Sequence, residues 1–291
     1  MYRNRQAVVV SFDINPSHAK PSPQIEPPAT LRLLSYNIQA AIGTRSYHHY
    51  ITRSWRHVLP DWRGLQRLEQ IAEVLNHYDL VSLQEVDGGS LRSGFVNQVS
   101  YLADLARFEY WYQQLNRDFG KLGQYSNGVL SRFVPYEIED HKLPGLKGRG
   151  AIVAKYGDAD NTLVLVNLHL ALSERARFRQ LDYVRELIQH HEHVVVMGDM
   201  NCRSEQIIDT PLRDTHLMQV SGEHHTYPSW RPTRNIDHIL VSPSLRINHV
   251  KVLDYDYSDH RPIAMEVQLP QGLAYALNDQ VLQNRPVARK V

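Results

Sequence analysis

The sequence predicts a single α/β domain of two sheets, and three observations carry that expectation. Strand-like apolar runs alternate with stretches of helical periodicity from about residue 31 to residue 268. Several runs, such as LVLVNLHL at 163 to 170 and HVVVMGDMN at 193 to 201, are apolar on successive residues, as in strands covered on both faces. Short polar islands follow or end these runs: SYN at 35 to 37, LQEVD at 83 to 87, VNLHL at 166 to 170, GDMN at 198 to 201, IDHI at 236 to 239 and SDH at 258 to 260. Although 291 residues would also accommodate two domains, islands spread through nearly the whole chain point to one site assembled at strand tips of one domain.

The elements follow in order. Five prolines between residues 14 and 30 predict that residues 1 to 30 form an extended arm leading to the first strand, LRLLSYNIQ. Residues 41 to 62, rich in Arg, His and aromatic residues without strand alternation, read as a long surface loop. GLQRLEQIAEVLNHY at 64 to 78 sets Leu65, Leu68, Ile71, Ala72 and Leu75 at helical spacing, and DLVSLQEV follows as a strand. A second helix is expected over about 96 to 107. GVLSRF, RGAIVAKY and NTLVLVNLHL read as successive strands, with residues 157 to 161 as a tight turn. Residues 173 to 191 place Phe178, Leu181, Val184, Leu187 and Ile188 on one helical face, with Ser173 as the N-cap. HVVVMGDMN, IDHILVS and PIAMEVQL are the remaining strands. The catalytic domain is expected over 31 to 269, and residues 270 to 291 as a polar C-terminal tail with room for one short helix.

Composition narrows the class. Hydrophobic residues at 42% and charged residues at 22% give an ordinary globular chain with material for a sizeable core. With 32 basic and 31 acidic residues the net charge of +1 offers a polyanion no global attraction, which leaves only a local basic patch for that purpose. The one cysteine, Cys202, excludes an intrachain disulfide and a multi-cysteine zinc site, and is compatible with a cytoplasmic location. The N-terminal apolar run AVVVSF is short and no small-residue cleavage pattern follows it, so a secretory signal is not expected. No transmembrane segment is expected either, and a membrane role would be peripheral.

The polar islands hold the residue types that phosphate chemistry recruits. Glu85 offers a carboxylate at a strand end to a hard cation such as Mg²⁺ or Mn²⁺, although a carboxylate after a strand is also an ordinary surface feature. Asp199 and Asn201 alternate at a strand tip, where the carboxylate can orient and deprotonate a water while the amide donates to a phosphate oxygen; Gly198 and the following polar residues fit an Asx-turn equally well. Asp237 and Asp259 stand beside His238 and His260, and an Asp-His pair gives an oriented, more basic imidazole, or simply a structural hydrogen bond. His169 lies among apolar neighbours like a core histidine, but Asn167 shares its strand face.

Taken in order over residues 31 to about 268, these islands resemble the endonuclease/exonuclease/phosphatase superfamily of metal-dependent hydrolases. The resemblance implies a four-layer α/β sandwich, with two mainly antiparallel sheets packed face to face and helices outside. It assigns Asn37, Glu85 and Asp259 to the metal, Mg²⁺ with Mn²⁺ as the alternative, and Asp199 and Asn201 to the nucleophile. His260, supported by Asp237, becomes the histidine at the scissile phosphate, and His169 the second histidine. Asn127 matches a residue beside the phosphate, and Arg149 falls where phosphodiesterase branches carry an arginine. AP endonucleases usually have threonine and lysine after the metal glutamate and tyrosine in place of His169; this chain has Val86, Asp87 and His169. The pattern is therefore closer to the sphingomyelinase-like and small phosphodiesterase branches. The expected activity is phosphodiester hydrolysis by an Asp199-oriented water, with a DNA or RNA nuclease and a catalytically silent binding scaffold as alternatives. Phosphate esters are the expected partners, with nucleic acid and lipid substrates both open and the oligomeric state unassigned.

Overall fold

A computed structural model describes residues 8–11, 30–41, 62–120, 123–145, 147–219 and 224–283. Its strands, in chain order, are β1 (Val8–Ser11), β2 (Thr30–Asn37), β3 (Leu80–Asp87), β4 (Tyr110–Asp118), β5 (Gln124–Ser131), β6 (Glu137–Lys142), β7 (Gly150–Gly157), β8 (Thr162–His169), β9 (His193–Asp199), β10 (Asp237–Val241), β11 (Arg246–Val252) and β12 (Ile263–Gln268). The longer helices are α1 (Trp62–Leu75), α2 (Gln98–Leu105), α3 (Glu174–Ile188) and α4 (Gln271–Gln283). The strands form two six-stranded sheets, ordered β1-β6-β7-β8-β9-β10 and β11-β12-β2-β3-β5-β4.

Pairing is antiparallel except for β2 with β3 and β8 with β9. A parallel neighbour requires a crossover, and α1 and α3 supply the two. Each crossover helix lies on the outer face of its own sheet. Leu68, Ile71 and Leu75 of α1, with Val99 and Leu102 of α2, pack on Leu34, Val81, Leu83 and Leu130. Leu181, Val184 and Ile188 of α3 pack on Val164, Val166, Val194 and Val196. The result is the four-layer α/β sandwich, with two mainly antiparallel sheets face to face and helices outside.

Between the sheets the strands change character along their length. Leu31 and Leu33 of β2, Leu163 and Leu165 of β8, Val195 and Met197 of β9 and Ile239 and Val241 of β10 share one apolar cluster. Two or four residues further towards the opposite end, at the same period-two spacing, stand Asn37, Asn167, His169, Asp199 and Asp237, all buried. Hydrogen bonds staple the sheets there: Gln84 Nε2 donates to Asn167 Oδ1 at 2.9 Å, Asn167 Nδ2 to the Gly128 carbonyl at 2.7 Å and Asn127 Nδ2 to the Gly150 carbonyl at 3.2 Å.

Several expectations need correction. The stretch expected as a polar tail with one short helix contains α4, which packs on the apolar end of the sandwich with Leu273, Ala274 and Leu277 buried in the inter-sheet cluster. Within the expected extended arm, Val8–Ser11 is a strand paired antiparallel with β6. Residues 1–7 and 12–29 of that arm and residues 42–61 of the expected loop lie outside the described residues, while Thr30 opens β2 and Trp62 opens α1. Strands β4, β6 and β11 carry mixed polar sequences, with much of each strand partly exposed, and gave no apolar run to read. Phe178 does not join the buried face of α3; it is 52% exposed. Arg177 and Gln180 take the inner positions, satisfied by the carbonyls of Leu172 and Pro144. Ser173 is the N-cap residue, but its side chain makes no capping bond. The expected turn at 157 to 161 is present, closed by Asp158 N donating to the Asn161 carbonyl at 3.3 Å. No described helix is long and apolar enough to cross a membrane.

Candidate active site

The C-terminal ends of both parallel strand pairs reach the same end of the sandwich, and they bring the two sheets' polar residues together. Asn37 ends β2, and its Nδ2 donates across the sheets to Asp199 Oδ2 at 3.1 Å. Asp199 ends β9 directly beside His169, the last residue of β8, in register. Gly198 permits that register: with φ at +149° it brings the backbones so close that a Cβ would lie 1.9 Å from the Leu168 carbonyl oxygen.

Glu85 arrives by a different device. Strict alternation from Ser82 and Gln84 would turn it outward beneath the helices. The β3–β5 register instead shifts between Leu83 and Val86, and Glu85 takes φ of 53°, a β-bulge that leaves it on the inner side with Gln84. Its Oε1 stands 3.8 Å from His169 Nε2.

Asp237 and His260 form a buried pair. His260 Nδ1 lies 2.8 Å from Asp237 Oδ2, which also accepts from Thr226 Oγ1 at 2.5 Å. That bond places the exchangeable ring proton on Nδ1 and turns Nε2 away from the carboxylate. Tyr227 covers the imidazole, with ring centroids 4.9 Å apart. Burial works against protonation of His260, but the charges of Asp237, Asp259 and Asp199 outweigh it and hold its pKa well above the ordinary 6.5.

His169 is set the opposite way. Burial, then the Arg149 and His260 charges, push its pKa well below 6.5, so it is a neutral imidazole at neutral pH. Arg149 Nη1 stands 2.8 Å from Nδ1 and 2.6 Å from Nε2 of that ring. The separations of 3.4 Å to Asp199 and 3.8 Å to Glu85 are therefore contacts of a neutral ring and not ion pairs. One histidine is thus built to be a cation and the other to stay uncharged.

The carboxylates carry more negative charge than the protein neutralises. Burial and the Asp237 charge raise the pKa of Asp199, and burial and the Asp259 charge raise that of Glu85. Asp237 Oδ1 is buried with no hydrogen-bond partner among the described residues. The carboxylates of Asp199 and Asp237 and the ring of His260 bring atoms within 4.8 Å of one another. An oxygen-rich, electron-rich cluster of this kind fits a hard divalent cation. Asn37, Glu85 and Asp259, the set expected from the sequence, flank the same space.

Of the expected residues, Asn37, Glu85, His169, Asp199, Asp237, Asp259 and His260 meet at this end. Asn127 and Arg149 line an adjoining cleft that reaches Glu85 and His169. Asn201 sits differently from the expectation of a shared strand face: β9 stops at Asp199, Asn201 takes φ of 51°, and its amide donates to the Leu170 carbonyl at 2.9 Å. Its backbone N donates to Asp199 Oδ1 at 2.9 Å, so the Asx-turn reading holds, and the turn fixes the carboxylate. Sequence reasoning missed Gln84, which orients Asn167 and whose signal was the period-two spacing from Ser82. Thr226, which orients Asp237, opens the Thr-Tyr-Pro-Ser stretch that resembles the family's segment before the catalytic aspartate.

The comparisons with known proteins agree with this architecture. Residues 34–260 match the Endonuclease/Exonuclease/phosphatase family. Among solved structures, an endonuclease/exonuclease/phosphatase from Beutenbergia cavernae DSM 12333 aligns with a TM-score of 0.62 at 20% identity, covering 83% of this chain and 72% of that one. Humanized D. rerio TDP2 bearing 14 mutations gives 0.59 at 19% identity, over 82% of this chain and 99% of that one. The mannosyl-6-phosphatase Bt3783 of Bacteroides thetaiotaomicron VPI-5482 gives 0.60 at 19% identity, over 81% and 99%. At these identities the likeness is one of fold. No curated protein sequence matches the chain.

Proposed function

Because the chain belongs to the Endonuclease/Exonuclease/phosphatase family, we propose that it is a divalent-metal-dependent hydrolase of phosphate esters, acting on phosphodiesters in preference to monoesters. The observation that carries the reading is the meeting of Asn37 and Glu85 from one sheet with His169, Asp199 and the Asp237–His260 pair at one end of the sandwich.

Asp199 orients the attacking water and takes its proton, held for that task by the Asn37 amide and the Asn201 backbone N–H. Protonated His260 donates from Nε2 to a phosphoryl oxygen as negative charge develops, and Asp237 keeps the ring charged and aimed. Neutral His169 and the Arg149 guanidinium beside it contact the same phosphate, while Asn127, its Nδ2 bonded to the Gly150 carbonyl, shapes the cleft beside it. Glu85, Asn37 and Asp259 would hold the metal, Mg²⁺ or Mn²⁺, which when bound would supply Lewis-acid stabilisation of the phosphoryl oxygens. The paired settings of the two histidines suit this chemistry, since His260 offers a charged donor while His169 stays neutral beside the carboxylates.

The test is hydrolysis, with Mg²⁺ and with Mn²⁺, of bis-p-nitrophenyl phosphate, p-nitrophenyl phosphate, single- and double-stranded oligonucleotides and phospholipids, each against Asp199→Ala. Preference for non-nucleotide diesters supports the reading. Preference for oligonucleotides replaces it with a nuclease, and inactivity of the wild type on every substrate replaces it with a binding scaffold.

A further inference from the structure

We propose that the cleft leading away from Glu85 and His169 contains a second anion subsite built by Arg117 and Lys147, so that the preferred substrate carries a second phosphate besides the scissile one. The proposal rests on the phosphoester reading above and narrows its substrate class.

The cleft has a volume of about 610 Å³. Glu85, Asn127, Arg149 and His169 line its inner end, and Arg117, Lys147, Phe119 and Leu172 its outer part. Glu85 is the one carboxylate among the described lining residues, so beyond the inner end the walls are cationic with no acid to balance them. Arg117 is close enough to Arg149 for the two guanidinium groups to repel one another. A concave wall of like charges beside low-dielectric protein concentrates field and attracts an anion.

Arg117 is also held in place without a carboxylate. Its guanidinium carbon lies 4.8 Å from the Phe119 ring centroid, and that ring meets Tyr125 edge-on at 6.2 Å. Its stem passes Gly148, whose φ is +99° and where a Cβ would stand 3.3 Å from Arg117 Cδ. Other arginines at the surface are paired differently: Arg32 with Asp79 at 2.7 Å, Arg185 with Asp182 at 2.9 Å and Arg261 with Asp254 at 2.8 Å. Arg117 and Lys147 line the cleft and form no ion pair among the described residues, which leaves their charges for a phosphate to neutralise. Phe119 at 51% and Leu172 at 75% exposure give the organic part of the ligand an apolar flank.

Calorimetric titration of the Asp199→Ala protein with Mg²⁺ tests the subsite without relying on turnover. The probes are two matched pairs: thymidine 3′,5′-bisphosphate against thymidine 5′-monophosphate, and inositol 1,4-bisphosphate against inositol 1-phosphate. In at least one pair the bisphosphate should bind roughly tenfold more tightly. Whichever pair shows the preference identifies a nucleotide or a polyol as the carrier. Arg117→Gln with Lys147→Gln should bring that ratio to about twofold or less, while Lys251→Gln on exposed β11 should leave it in place. Both cleft residues are exposed, so the substitutions leave folding intact. A ratio near one in both pairs, or a preference that survives the double substitution, overturns the subsite. The hydrolysis panel decides the parent reading separately.

Discussion

The two ends of the space between the sheets are built from the same strands and behave as opposites. In β8, Leu163 and Leu165 point into a dry cluster closed by α4, whereas Asn167 and His169, further along the same face, point into a network of amides, carboxylates and cations. The apolar end gains stability from burial alone and asks only for volume and shape. The polar end surrenders that gain and uses sheet-to-sheet hydrogen bonds to fix side chains whose ionisation states are pulled in opposite directions. Stability and chemistry are thus divided along each strand.

Substitutions at either end should separate the two properties. The largest effect is expected from Asp199→Ala, which should lower kcat/KM on bis-p-nitrophenyl phosphate roughly a thousandfold while the melting temperature holds or rises, because a raised-pKa carboxylate is removed. Leu165→Ala at the other end should cost about 2–5 kcal/mol of unfolding free energy, read by urea titration, and leave kcat of the folded fraction within about threefold. A large loss of kcat in that variant at full folding would show that the division is false.

Two pH measurements sharpen the comparison. Asp237 raises the pKa of His260, so the imidazolium persists through neutral pH. Replacing it by Asn lets that pKa fall, and the alkaline limb of the kcat profile should move to lower pH; an unmoved limb would remove His260 as the cation. A smaller effect is expected on the outer face of the apolar half. There Glu139, bonded to His141 and Lys155, has its pKa lowered from 4.5 to about 2. A lowered carboxylate pKa stabilises the fold above the unfolded value and loses that contribution as pH falls towards the folded one. The difference in melting temperature between wild type and Glu139→Gln should therefore be full at pH 6 and shrink between pH 4.5 and 2.

Much of this division was legible in the sequence. The period-two run Leu163, Leu165, Asn167, His169 states the change from apolar to polar outright, and the same holds for Leu31, Leu33, Ser35, Asn37. Glu85 was readable as a residue but not as a placement, because it faces inward only through a bulge, and a bulge is set by the partner strand's register. Strand β6 escaped because a polar strand paired with the sheet's edge looks like surface, and α4 was legible only as a short helix in a polar tail, its buried leucines masked by polar flanks. Arg117 and Lys147 lie 30 residues apart, one near the end of β4 and one in the loop between β6 and β7, and local sequence says nothing about a shared cleft.

The central claim is that strand tips from both sheets act as one catalytic unit, and Asn37 and Asp199 join them directly at 3.1 Å. A double-mutant cycle on kcat/KM for bis-p-nitrophenyl phosphate with Mg²⁺ measures this. If the residues work as a unit, Asn37→Ala with Asp199→Ala should be no slower than Asp199→Ala alone. Losses that multiply, as for two independent sites, would contradict the account.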